Sequence, residues 1–109
     1  NLKKKLIKQN KVKTITLSKF IKENNIKNID ILKIDTEGYE YKVLIGAKEE
    51  IGKIKYIYFE HHFDDMLIKG YTLSDIHSYL VKNGFEKKFK LKMFFRKSFE
   101  YIYFNKNKI

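Results

Sequence analysis

Apolar positions along the chain change their period several times, and each change marks a predicted element. Val12 to Leu17 alternates, with Val12, Ile15 and Leu17 against Lys13, Thr14 and Thr16, and its β-branched content predicts a short strand. Ser18 offers an N-cap oxygen for a helix to about Asn25, with Phe20 and Ile21 on its buried side. The run Ile29-Asp30-Ile31-Leu32-Lys33-Ile34-Asp35 is short, mostly apolar and ends on an acid, the pattern of a strand buried on both faces. From Glu37 to about Ile45 the spacing becomes helical through Tyr39, Val43 and Leu44, and Gly46 takes the place of a C′ glycine. Ile54 to Phe59 is a second apolar run, stopping at Glu60. Strand, helix and strand with short connections predict a βαβ unit, hence two parallel strands.

A further helix is predicted after Gly70. Thr72 and Asp75 resemble a capping box, and Leu73, Ile76, His77, Leu80 and Val81 then follow helical spacing up to Gly84. Phe85 to Leu91 and Phe99 to Phe104 alternate, and the link between them is too short for a helical crossover. They are expected to pair as an antiparallel hairpin. Asn1 to Lys11 is polar and Lys-rich, a loose lead-in.

Composition narrows the class. At 109 residues there is room for one domain, and 43% hydrophobic content gives it the material for a core rather than a disordered tail. No apolar stretch is long enough to cross a bilayer, so no membrane partner is expected. Cysteine is absent, which excludes disulfides and thiolate metal sites and fits a cytoplasmic setting. The formal charge of +11 raises the question of a nucleic-acid partner. Every basic residue except Arg96 is a lysine, however, and the lysines are scattered among many Asn and Ile. General composition bias accounts for that better than specific nucleic-acid recognition, which would use guanidinium groups.

Both central strands are predicted to end in a carboxylate, Asp35 and Glu60, at the edge where open α/β sheets bind ligands. On neighbouring strands these acids would start about 5 Å apart. Glu37 follows at the start of the next helix, and His61 and His62 come directly after Glu60. Taken singly, Asp35 and Thr36 could cap a helix and the histidines could form a solvated turn. Together, Asp35 and Glu60 are candidates for chemistry.

The segment Leu32-Lys33-Ile34-Asp35-Thr36-Glu37-Gly38-Tyr39-Glu40, followed by Val43-Leu44-Ile45-Gly46-Ala47, resembles the signature of FkbM-type methyltransferases. Thr16-Leu17 with Phe20-Ile21 is similar to the family's segment just upstream, where an acid is usual in place of Ser18. Ile57-Tyr58-Phe59-Glu60 resembles its next strand. The resemblance implies an α/β, Rossmann-like class I methyltransferase fold of which residues 12–109 form the C-terminal half, strands 4 to 7. It implies methyl transfer from S-adenosylmethionine to a hydroxyl of a sugar or other small-molecule acceptor. Asp35, Glu37, Glu60 and His61 are then the candidate catalytic residues, with Glu60 or His61 orienting or deprotonating the acceptor. Asp35 and Thr36 are the candidate cofactor contacts, and no metal ligand is assigned. The glycines Gly38, Gly46, Gly52, Gly70 and Gly84 are isolated, so the glycine-rich turn that holds the cofactor is expected to lie outside this chain, in a preceding half or another chain. The rival reading is a basic single-strand nucleic-acid module using Lys and Tyr/Phe-rich strands. Glu40-Tyr41-Lys42 has nuclease-like spacing, but it falls on a predicted helix.

Overall fold

A computed structural model describes residues 11–62, 70–92 and 98–108. Of the expected lead-in, only Lys11 falls among them. Among the described residues the helices are α1 (Leu17–Glu23), α2 (Glu40–Ile45) and α3 (Leu73–Lys82). The strands are β1 (Ile29–Ile34), β2 (Ile54–His62), β3 (Phe85–Lys92) and β4 (Ser98–Asn105). A 3-10 helix, Lys48–Lys53, joins α2 to β2.

The strands form one mixed sheet in the order β1-β2-β4-β3. β1 and β2 are parallel, with Ile34 registered on Phe59, as the short strand-helix-strand spacing requires. β3 and β4 form the expected antiparallel pair, with an irregularity between Lys87 and Phe89, and β4 returns to lie antiparallel to β2. The core lies on one face of this sheet: Ile34, Ile57, Phe59, Tyr101 and Tyr103 pack with Leu44, Ile51, Ile76 and Leu80. The described residues span 57 × 37 × 21 Å, and the short dimension fits a sheet with one helical layer.

Several expectations are corrected. Residues 11–16 form no strand, because an alternating pattern needs a neighbouring ladder and none is offered there among the described residues. The N-cap of α1 is Thr16, whose Oγ1 accepts from Lys19 N–H at 3.1 Å. Ser18 is buried two positions further on, and its N–H donates to the Gly46 carbonyl at 2.9 Å. Phe20, expected inside, is 45% exposed. β1 is an edge strand with Ile31 65% exposed, not a strand covered on both faces. Gly46 is right-handed at φ −65°. Its lack of a side chain serves close packing, since a Cβ there would lie 3.3 Å from the Lys42 and Val43 carbonyls.

The capping box of α3 forms as read, with Thr72 Oγ1 accepting from Asp75 N–H and the Asp75 carboxylate accepting from Thr72 N–H. On the helix, Ile76 and Leu80 are buried and Val81 is exposed. Gly84 adopts φ 91° where the chain turns into β3. Asn105, buried at the end of β4, donates to the carbonyls of Gly52 at 3.2 Å and Ile54 at 2.9 Å, tying the hairpin to the start of β2.

Candidate active site

The helix after β1 does not start at Glu37. Glu37 and Gly38 have positive φ, 51° and 108°, and form a turn that delays α2 to Glu40. The turn is held from below. Glu40 is only 2% exposed, and its Oε2 accepts from Gly38 N–H at 3.0 Å and from the Tyr71 hydroxyl at 2.7 Å. The Tyr71 phenol is pushed well above its usual range by burial and then by this carboxylate. The pair also places Glu40-Tyr41-Lys42 on a helix with its acid in structural use, as the helical reading anticipated.

β2 runs past Glu60 to His62, so its two histidines belong to the strand rather than to a turn. The cause is β4, which registers Glu60 on Glu100, His61 on Phe99 and His62 on Ser98 and so supplies ladder partners beyond the end of β1. Alternation along β2 then separates neighbours in sequence. His61 falls on the core side after Ile57 and Phe59, buried against Tyr71 at 5.9 Å between ring centroids. Tyr58, Glu60 and His62 fall on the opposite face.

On that face the site is assembled around His62. Its Nε2 lies 3.5 Å from Glu60 Oε1 and 3.6 Å from Glu37 Oε2. The Ser98 hydroxyl donates to the same Glu60 oxygen at 2.9 Å. Tyr58 is pushed up to about 12, first by its hydrogen bond to Glu100, then by burial, and then by the negative charges of Glu100, Glu60 and Asp35. Asp35 and Thr36 are exposed, one and two residues beyond the Ile34–Phe59 register. The structure therefore brings Asp35, Glu37 and Glu60 to one edge and leaves His61 on the other side of the sheet. A histidine whose Nε2 faces two carboxylates holds its N–H toward them and leaves Nδ1 as the nitrogen able to accept a proton from a bound hydroxyl.

Nothing in the one-dimensional pattern singles out Tyr58, Ser98 or Glu100. Tyr58 could be reached by counting back two residues from Glu60 along a strand. Ser98 and Glu100 arrive only through the β2–β4 register. His77, on α3, pairs through Nδ1 with the Tyr103 hydroxyl at 2.7 Å and is remote in role from this edge. Among the described residues no three His, Asp or Glu side chains are grouped as metal ligands. Nor is any helix long and apolar enough to cross a membrane.

Asp35 and Thr36 are presented at the strand edge, and the turn after β1 carries the single glycine Gly38 with two acids, which can accept hydrogen bonds from hydroxyl groups and would repel a phosphate. In comparisons with known proteins, the family model described as Methyltransferase FkbM domain matches residues 1–87. No curated protein and no solved structure matches the chain.

Proposed function

Because the chain belongs to the FkbM methyltransferase domain family, we propose that it carries the acceptor-side edge of an S-adenosylmethionine-dependent O-methyltransferase acting on a sugar or similar small hydroxylated molecule. The observation that carries this reading is the convergence of Glu37 and Glu60 on His62 Nε2, beside Asp35 at the end of a parallel strand. S-adenosylmethionine, when bound, supplies an electrophilic methyl group. His62 takes the proton of the acceptor hydroxyl at Nδ1, while Glu60, itself held by Ser98, fixes the imidazole from the Nε2 side. Glu37 closes the other side, and Asp35 with Thr36 borders the cofactor. Tyr58, kept protonated, donates its hydrogen bond to Glu100 and borders the same face.

The β1-β2-β4-β3 order suits strands 4, 5, 7 and 6 of a class I methyltransferase sheet. The outer edge of β1, and the sheet face bearing Ile31, Tyr56, Ile102 and Phe104, are where a cofactor-binding half, preceding or separate, would pack. A cytoplasmic setting, expected from the cysteine-free sequence, belongs to the same proposal.

Two measurements test it. Calorimetric titration of this polypeptide with S-adenosylmethionine is expected to show no heat of specific binding. Joined to the cofactor-binding half of an FkbM-domain enzyme, the chain is expected to transfer labelled methyl to a sugar hydroxyl, and His62→Gln and Glu60→Gln to reduce the rate about 100-fold or more. Tight cofactor binding by the chain alone overturns the division of labour, and unimpaired transfer by both variants overturns the site. The nucleic-acid reading is opposed by Glu60 and Glu100 on the same sheet face as the half-buried aromatics Tyr56, Tyr58 and Phe104. Salt-insensitive failure to retain single strands on a filter is the expected result.

A further inference from the structure

Away from the carboxylate edge, a groove of about 840 Å³ lies between residues 14–20 and α2. Its walls are Ile15, Leu17, Phe20, Tyr39 and Val43, with Lys42 as its one charged lining residue. Ile15, Phe20 and Tyr39 are 44%, 45% and 59% exposed, so three large apolar side chains line an open surface. The volume falls within the range of roughly 300–1,000 Å³ usual for small-molecule sites, which are apolar with a few polar groups.

The polar groups define the class of occupant. Lys42 Nζ sits 5.2 Å from the Tyr39 ring centroid, so the ammonium stands over an apolar wall with no acid among the residues lining the groove. Thr16 Oγ1 already accepts from Lys19 N–H and keeps its own proton to donate. The floor is fixed by the Ser18 N–H to Gly46 carbonyl bond, and Gly46 adds no side chain to fill the space. A cation and a hydroxyl donor beside a long apolar wall match a molecule with an apolar body and one anionic head. The groove does not depend on the carboxylate edge: none of Asp35, Glu37, Glu60 and His62 lines it.

We propose that this groove binds a small anionic amphiphile, an alkyl or aryl carboxylate, with its apolar body along Ile15, Phe20 and Val43 and its head at Lys42. The inference goes beyond methyl transfer and stands whether or not that reading holds. Decanoate and its neutral counterpart 1-decanol are the probes, titrated into the isotopically labelled chain and followed by ¹H–¹⁵N correlation spectra. Saturable shifts are expected over residues 14–20 and 39–46 with both. Lys42→Gln is expected to weaken decanoate binding about fivefold, as loss of an exposed ion pair does, and to leave decanol unchanged. Phe20→Asp should abolish binding of both; Ile15→Asp replaces it should that variant not give a folded spectrum. Shifts centred on Ile31, Tyr56 and Phe104 instead, or an equal effect of Lys42→Gln on both probes, overturn the proposal. So does the absence of saturation. Broadening of groove signals with protein concentration, alongside dimer in sedimentation, would assign the groove to contacts between copies and overturn it as well.

Discussion

Tyr71→Phe removes one oxygen and tests what holds the turn that carries Glu37. The hydroxyl lies 2.7 Å from Glu40 Oε2, and Glu40 is one of the most buried acids in the chain, with Gly38 N–H as its other bonded donor. A hydrogen bond to an ionised group contributes about 1.5–3 kcal/mol, and Tyr71 is only partly covered, so a loss of about 2 kcal/mol is expected. Glu40→Leu should cost a similar amount, because it strands the Gly38 N–H and the Tyr71 hydroxyl together. Both changes remove the same contact. The double variant should therefore be more stable than the sum of the singles predicts, by about 1 kcal/mol or more. Urea unfolding at neutral pH, followed by far-ultraviolet circular dichroism and extrapolated linearly, gives all four free energies. A Tyr71→Phe cost below about 0.5 kcal/mol, or strict additivity of the cycle, would show that the turn is held by something else.

Three further outcomes follow from the same contacts. Gly38→Ala places a side chain at φ 108° and should cost about 1–3 kcal/mol in the same urea assay; an unchanged midpoint would mean the turn relaxes freely. Asn105→Ala leaves the Gly52 and Ile54 carbonyls and the Asn107 N–H without their partner, and should lower stability by about 2–3 kcal/mol. Tyr58 and Tyr103 are pushed up to about 12, Tyr58 chiefly by its bond to Glu100 and Tyr103 chiefly by burial, and Tyr79 and Tyr101 are raised by burial too. Unfolded phenols release their protons near 10 while these folded ones keep them, so the unfolded state binds fewer protons above that pH. Stability should be intact below pH 10 and fall as pH rises toward 12, with phenolate absorbance at 295 nm appearing together with unfolding; a flat profile across that range contradicts the assigned burial.

The elements with local causes are legible from the chain alone. Thr72 and Asp75 mark the start of α3 because a capping box is made by residues three apart. The parallel pairing of β1 and β2 follows from the length of the link that contains α2, and the antiparallel β3–β4 pair from a link too short to cross over. The alternation over 12–17 misleads for the complementary reason: period alone cannot supply the neighbouring strand that would satisfy its backbone. The helix start at Glu37 fails because the positive φ of Glu37 and Gly38 is fixed by Glu40 and Tyr71, which are distant from each other in sequence.

The same division runs through the candidate site. By itself the sequence determines the family, through Asp35 to Glu40 and the two acid-bearing strands, and it determines that Asp35 and Glu60 reach one edge, since parallel neighbours in register must bring their ends together. Only the tertiary structure decides which residues complete that edge. The antiparallel register of β4 extends β2 to His62, brings Ser98 and Glu100 across, and sends His61 to the core while His62 meets Glu60 and Glu37. Strand alternation puts adjacent residues on opposite faces, so where β2 ends and which side β4 joins determine which histidine reaches the carboxylates.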